Sequence, residues 1–222
     1  LVNSMLDNDV KNILYVSTAS IYPKTVQGRV SEKRTPVPKT PYAKTKFITE
    51  QLINDYKVYG LKSTILRLFN VAGAHGFNDL DIGKNVITVL LNLIKDNRLF
   101  TLMGNDYPTP DGTCVKDFIH VDDVTEAIGK SAAKLLEPDT ASQTYNLGTG
   151  KGTSLGELIR KSIDITGKEL KLRIGAALED EVPSLIANNT KIKKDLGWAP
   201  QKNIDEIITS CWKWILQNGG KR

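Results

Sequence analysis

The chain has 222 residues, 40% of them hydrophobic and 25% charged, which is the composition of an ordinary globular protein with apolar content for one large core or two small ones. Thirty Lys and Arg against 25 Asp and Glu give a formal charge of +5, scattered along the chain and densest at Lys191-Ile-Lys193-Lys194; this reads as a solvated helix face compatible with a small anionic substrate, so neither nucleic acid nor membrane is expected as a partner. No apolar run approaches the roughly 20 residues of a membrane span, the first residues show no signal-peptide pattern, and Cys114 and Cys211 stand apart without C-x-x-C spacing or neighbouring histidines, so a reduced, cytoplasmic protein with no metal is expected.

Leu1 to Leu6 has the spacing of the last turns of an amphipathic helix and runs into Ile13 to Val16, a short apolar run of the kind found in buried parallel strands. That strand ends in Ser17, Thr18 and Ser20, so hydroxyls collect at its carboxyl end. A loop with Pro23, Gly28, Pro36, Pro38 and Pro41 follows. Tyr42 to Tyr59 then reads as one long helix with Phe47, Leu52 and Ile53 on its apolar side, closed by Gly60, and Ser63 to Phe69 reads as the next strand. Ala72-Gly-Ala-His-Gly76 is rich in turn formers, Val86 to Ile94 is apolar enough for a helix packed on both sides, and Arg98 to Met103 suits a strand. Gly104 to Gly112 is again dense in turn formers, Val115 to Val121 is extended, and Asp122 is placed to cap a helix running to Leu136. Thr144 to Leu147 reads as a strand, Ser154 caps a helix to Thr166, Leu170 to Ile174 is a strand, and Ile204 to Leu216 is a closing amphipathic helix. Strands alternating with helices predict an α/β fold with a mainly parallel sheet, in which ligands sit at the carboxyl ends of the strands; Thr18 and Asn70 both fall at such ends.

Tyr42-Ala-Lys-Thr-Lys46 is the stretch that carries chemistry. Residues four apart on a helix share one face, about 5–6 Å apart between Cβ atoms, so Lys46 stands beside the phenol of Tyr42. A neighbouring cation favours phenolate, which suits a base that takes a proton from an alcohol under oxidation.

Val16-Ser-Thr-Ala-Ser-Ile-Tyr22, Pro41-Tyr-Ala-Lys-Thr-Lys46, Leu66-Arg-Leu-Phe-Asn70, Ala72-Gly-Ala-His75, Gly104-Asn-Asp-Tyr-Pro-Thr109, Asp111-Gly-Thr113, Lys116-Asp-Phe-Ile-His-Val121 and Tyr145-Asn-Leu-Gly148 occur in fixed order. Together they resemble the extended short-chain dehydrogenase/reductases and, within them, the carboxyl two-thirds of the UDP-glucose 4-epimerase family. The resemblance implies an incomplete Rossmann-like parallel sheet plus a smaller mixed α/β substrate domain, divided into residues 1–72 and 73–222, with parts of 113–137 returning to the first. It implies NAD as cofactor, UDP-glucose and UDP-galactose as substrates, and a homodimer. By the same resemblance Thr18, Tyr42 and Lys46 are catalytic and, with Phe69, touch the cofactor. Thr18, Ala19, Ser20, Asn70, Lys84, Asn85, Val86, Thr101, Leu102, Met103, Lys116 and Glu181 fall on substrate-binding positions, while Asp117, His120, Asp122 and Asp123 are structural. The implied reaction is hydride transfer from sugar C4 to NAD, with Tyr42 taking the hydroxyl proton and Thr18 bridging by hydrogen bonds, followed by hydride return to the opposite face of a 4-keto sugar.

The chain departs from the family pattern in several places. Lys116 stands where arginine is usual, Leu178 lies where a second arginine is expected, Glu181 replaces aspartate and Met103 an aromatic residue; Arg173 is positioned to supply charge from nearby. A lysine is a point charge without the planar fork of a guanidinium, so weaker diphosphate binding or a shifted sugar nucleotide is expected. No glycine-rich phosphate turn precedes Ile13, and roughly 110 family residues are expected before Leu1, so these 222 residues alone are expected not to turn over substrate. A 4,6-dehydratase needs Asp and Glu where Ala19 and Ser20 stand. A truncated, non-catalytic module for association or sugar-nucleotide sensing is the other alternative.

Overall fold

The structure is a computed structural model and describes residues 1–23, 28–76, 85–179 and 181–218. In chain order its elements are α1 (Val2–Asp7), β1 (Asn12–Thr18), β2 (Arg29–Val30), α2 (Pro41–Asp55), β3 (Lys62–Leu68), β4 (Asn70–Ala72), α3 (Val86–Lys95), β5 (Leu99–Met103), β6 (Val115–Lys116) and β7 (Phe118–His120). There follow α4 (Val121–Leu136), β8 (Gln143–Leu147), β9 (Thr153–Ser154), α5 (Leu155–Thr166), β10 (Lys171–Gly175), β11 (Ser184–Ala187), α6 (Thr190–Leu196) and α7 (Ile204–Asn218).

The central sheet is parallel, ordered β1-β3-β8, with Asn12 opposite Lys62 through to Thr18 opposite Leu68, and Leu68 in turn opposite Leu147. Successive strand residues point to opposite faces, so alternation decides what each helix covers. Ile13, Tyr15 and Ile65 point to one side and pack with Ile53 of α2; Leu14, Leu66 and Leu68 point to the other and pack with Val124 and Ala127 of α4 and with Trp198. Trp198 is wholly buried and its indole N–H donates to the Asp123 carbonyl at 3.1 Å, the partner a buried indole requires. The expected α/β architecture and parallel sheet are therefore present.

A second core lies among α3, α5 and α7 beside β5: Ile87, Leu90, Leu91 and Ile94 meet Leu158, Ile159, Ile207, Ile208, Trp212 and Ile215. Cys211 sits inside it, its thiol pushed up to about 11 by burial. Short parallel pairings β5·β10, β4·β7, β2·β11 and β11·β6 tie these parts together, and the β6·β9 pairing is antiparallel.

Several sequence expectations are corrected. The segment 42–59 is not one continuous helix: α2 ends at Asp55, Tyr56–Tyr59 tightens into a 3₁₀ turn, and Gly60 stops it at φ 86°. Leu52 does not join Phe47 and Ile53 inside but is 52% exposed, on the same outer stripe as Ile48. The N-cap of α4 is His120, not Asp122: its Nδ1 accepts the Asp122 N–H at 3.0 Å, and Asp122 and Asp123 instead lie in the first turn, where the helix dipole favours anions. The extended run 115–121 is broken at Asp117, whose wholly buried carboxylate accepts from Thr149 N (2.8 Å), Thr149 Oγ1 (2.6 Å), Gly150 N (2.9 Å) and Ala187 N (3.0 Å). Burial pushes this carboxyl up, and the four donated bonds oppose it. In the basic cluster Lys193 and Lys194 are exposed, but Lys191 donates to the Thr144 carbonyl at 2.9 Å and lies over the Tyr145 ring, fastening α6 to β8.

Among the described residues, no helix is long and apolar enough to cross a membrane, and no group of His, Cys, Asp and Glu is placed to hold a metal ion.

Candidate active site

Thr40 caps α2, its Oγ1 accepting the Ala43 N–H at 3.1 Å, and Pro41 at the first helical position presets the backbone, which places Tyr42 at the very start of the helix. Tyr42 is 56% exposed. One turn on, Lys46 donates to the Val16 carbonyl at 3.0 Å, and its Nζ lies 5.2 Å from the Tyr15 ring centroid and 5.9 Å from that of Tyr42. The predicted shared face is thus observed, with the ammonium anchored on the carboxyl half of β1. An ammonium has three donors, and one of them goes to Val16.

Thr18 is buried at the end of β1; its hydroxyl donates to Ser20 Oγ at 3.1 Å and accepts from Ser20 N at 3.2 Å, capping a single 3₁₀ turn over Ala19–Ile21. Ala19, Ala43 and Phe47 pack in one cluster with Phe69, so the strand end, the first turns of α2 and the end of β3 are held together. Phe69 is 6% exposed and makes its contacts mainly within that cluster. Leu185 packs in the same cluster.

Beside Tyr42 opens a cavity of about 950 Å³. Its walls include Tyr42 together with Asn70, Asn85, Val86, Thr101, Leu102, Met103, Lys116 and Glu181, nine residues singled out from the sequence. The volume is at the upper end of the range for small-molecule sites. Asn70 on β4 is fixed by donating through Nδ2 to the Asp117 carbonyl at 3.3 Å, and Asn85 caps α3 by accepting Thr88 N at 3.0 Å. Residues 101–103 come from β5, where Leu102 is buried and the residues on either side half-buried. Arg173 on β10 donates to Thr101 Oγ1 at 3.3 Å but is not part of the wall. Lys116, at the end of β6, forms an ion pair with Glu181 and lies 3.4 Å from the Val182 carbonyl, while Glu181 also accepts Val182 N at 3.0 Å.

Thr18, Ala19, Ser20, Lys46 and Phe69 do not line this cavity; they form its neighbour at the strand end. Lys84 lies outside the described residues. The wall also contains Val71, Phe100, Cys114, Phe118 and Leu155, which the sequence reading passed over as site residues, and Leu178, noted there only as standing where an arginine is usual. Most are apolar, and an apolar residue facing a cavity has the same sequence signature as one facing the core. Tyr107 was missed as a positioning residue: its hydroxyl accepts Leu178 N at 3.0 Å and so holds Leu178 against the opening, and the glycine- and proline-rich turn around it was the available signal. Burial pushes the Cys114 thiol up, making it a lining group rather than a nucleophile. His120, kept out of the catalytic set on sequence grounds, spends both ring nitrogens on Asp122 N and Ser210 Oγ.

Residues 1–148 match the model of the NAD dependent epimerase/dehydratase family. The chain is 36% identical over 211 residues to the UDP-glucose 4-epimerase of Rhizobium leguminosarum bv. trifolii, covering 92% of this chain and 64% of that protein. It is 36% identical over 222 residues to the UDP-glucose 4-epimerase of Rhizobium meliloti (strain 1021), covering 96% of this chain and 67% of that one. It therefore spans about two-thirds of the length of these curated relatives. Among solved structures, the UDP-glucose-4-epimerase of Stenotrophomonas maltophila with bound NAD and formylated UDP-arabinopyranose superposes with a TM-score of 0.91 at 29% identity, covering 100% of this chain and 68% of that one.

Proposed function

The chain belongs to the NAD dependent epimerase/dehydratase family, and from that premise we propose that the full protein is a UDP-hexose 4-epimerase that interconverts UDP-glucose and UDP-galactose through a 4-keto sugar. The observation that carries this reading is that Tyr42 shares one cavity with Asn70, Asn85, Thr101 and Lys116, so a proton-accepting phenol and the polar groups suited to a nucleotide diphosphate face the same space. The names of the relatives and their solved complexes point the same way.

The donor set at the end of β1 fits the ribose end of a nicotinamide cofactor: Lys46 is anchored at Val16 with donors to spare, and Tyr42 is accessible beside it. Thr18, Tyr42, Lys46 and Phe69 are the residues assigned to hold NAD, which when bound supplies a hydride acceptor and donor at the sugar C4. Tyr42 takes the C4 hydroxyl proton and returns it after the sugar has turned over. The Thr18 hydroxyl is a rotor with one donor and two acceptor sites, able to leave Ser20 Oγ and hydrogen-bond the same sugar oxygen. Lys46, fixed by Val16, keeps a positive charge beside the phenol in both halves of the reaction. On this reading the hexose must change the face it presents while its nucleotide stays held in the cavity.

In this reading residues 1–72 form the cofactor side and 73–222 the substrate side, with part of 113–137 returning as α4, which packs on the central sheet. A homodimer is proposed through the α2 face, supported by Ile48 and Leu52, 53% and 52% exposed one turn apart.

The test is conversion of UDP-galactose to UDP-glucose by the full-length protein. Tyr42→Phe is expected to lower turnover by about 10²–10⁴-fold, the usual contribution of a positioned base, while leaving the NAD content unchanged. Wild-type turnover in that variant removes Tyr42 as the base.

A further inference from the structure

We infer that Glu181 is a built-in competitor for the anion this cavity receives: it engages Lys116 before any ligand arrives, so a diphosphate must share that cation with a carboxylate or displace it. The inference rests on the sugar-nucleotide reading above and adds the rule by which ligands are discriminated on charge.

Among the described residues of the cavity wall, Lys116 and Glu181 are the ones that carry formal charge, and they are paired with each other. Both are held by backbone as well. Lys116 lies at the end of β6 and Glu181 just ahead of β11, and these strands pair through Ser184 opposite Val115 and Leu185 opposite Lys116. The carboxylate is oriented by Val182 N at 3.0 Å, and the ammonium also reaches the Val182 carbonyl at 3.4 Å. The lysine side chain is 17% exposed and the glutamate 30%, so water screens the pair only in part.

Two consequences follow from elementary charge chemistry. The wall is neutral with respect to this pair, so a diphosphate entering beside Lys116 also enters beside Glu181, and the like-charge repulsion cancels part of its attraction. A lysine ammonium, moreover, has three donors on a single nitrogen, and two already point at Glu181 and Val182. One donor is left for a second anion, where the five donors of a planar guanidinium could serve both more fully. Glu181 thus sets a threshold that falls on the charged part of the ligand and leaves the nucleoside unaffected.

The test is calorimetric titration of the full-length protein with UDP and, separately, with uridine, which lacks the diphosphate. Glu181→Gln keeps the acceptor for Val182 N and removes the charge; it is expected to lower the Kd for UDP by about tenfold, equivalent to about 1.4 kcal/mol, and to leave uridine binding within about twofold. Lys116→Arg is the independent variant: with donors for both anions it is also expected to tighten UDP, and to gain less when combined with Glu181→Gln. The inference is overturned if Glu181→Gln and Lys116→Arg leave UDP affinity unchanged or weaken it in a protein whose wild type binds UDP, or if UDP and uridine tighten equally. A wild-type protein that binds neither UDP nor UDP-glucose defeats the proposed function, and the inference falls with it before any variant is made.

Discussion

Glu50 and Arg67 face each other across the junction of α2 and the central sheet as an enclosed ion pair, with Nη2 2.7 Å from Oε2 and Nε 3.1 and 3.2 Å from the two carboxylate oxygens. Their side chains are 2% and 9% exposed. The free edge of the guanidinium continues to the Tyr22 hydroxyl at 2.9 Å, which donates to Asn146 Oδ1 at 2.6 Å. Glu50 lies on the same helix as Tyr42 and Lys46, so this network sets where the two reach the strand end. Removing one partner of such a pair strands the other charge in the core, at a cost of about 3–5 kcal/mol. Glu50→Gln is therefore expected to lower unfolding stability by that amount in urea titration, and Glu50→Met with Arg67→Met to recover most of it. A Glu50→Gln protein within about 1 kcal/mol of wild type would show that the pair does not hold the helix.

Lys46 makes its observed hydrogen bond to the Val16 carbonyl, the residue two before Thr18. Lys46→Met removes that anchor and the donors assigned to the cofactor ribose. A charged hydrogen bond is worth roughly 1.5–3 kcal/mol, so NAD affinity is expected to fall about 10–100-fold. Fluorescence titration of NAD into the cofactor-stripped full-length protein measures this. Unchanged affinity with lost turnover would confine Lys46 to Tyr42.

Much of this was legible in the sequence because periodicity is a local signal. The short apolar run Ile13 to Val16 specified a covered strand, the Tyr42 and Lys46 spacing specified a shared helix face, and Ser154 was recognisable as the cap of α5, where it accepts Glu157 N at 3.0 Å. What stayed hidden depends on long-range partners. Nothing near Asp117 announces that it breaks the strand by collecting donors from Thr149, Gly150 and Ala187. His120 took the capping role expected of Asp122 because its ring nitrogen accepts the Asp122 N–H, which starts the helix two residues earlier than an Asp122 cap would. The pairing of Lys116 with Glu181 joins residues brought together only by β6 and β11.

Gly73 has φ 91°, and a Cβ built on it would stand 2.6 Å from His120 Nε2 and closer still to Cδ2. The position combines a left-handed backbone with a ring that has nowhere to go, since His120 is 2% exposed and bonded at both nitrogens. Gly73→Ala is expected to cost about 2–4 kcal/mol, summing backbone strain and overpacking. A thermal melt unchanged from wild type would mean that the turn relaxes freely.

His120 also predicts a pH dependence. Burial lowers its pKa below the ordinary 6.5; Asp122, Asp123 and Glu206 oppose that shift and Lys202 reinforces it. Geometry agrees, because Nδ1 must keep its lone pair to accept Asp122 N at 3.0 Å. The unfolded chain, with the higher pKa, binds more protons over the interval from 6.5 down to the folded value. Stability therefore rises with pH through that interval and levels off above it. The urea midpoint is expected to fall as pH drops below 6.5. His120→Asn supplies a strong N-cap that does not titrate, so the wild-type minus variant difference isolates the imidazole from the carboxylates that lose their bonds at lower pH. An identical slope in wild type and variant across about pH 5–7 would assign the acid sensitivity to other groups.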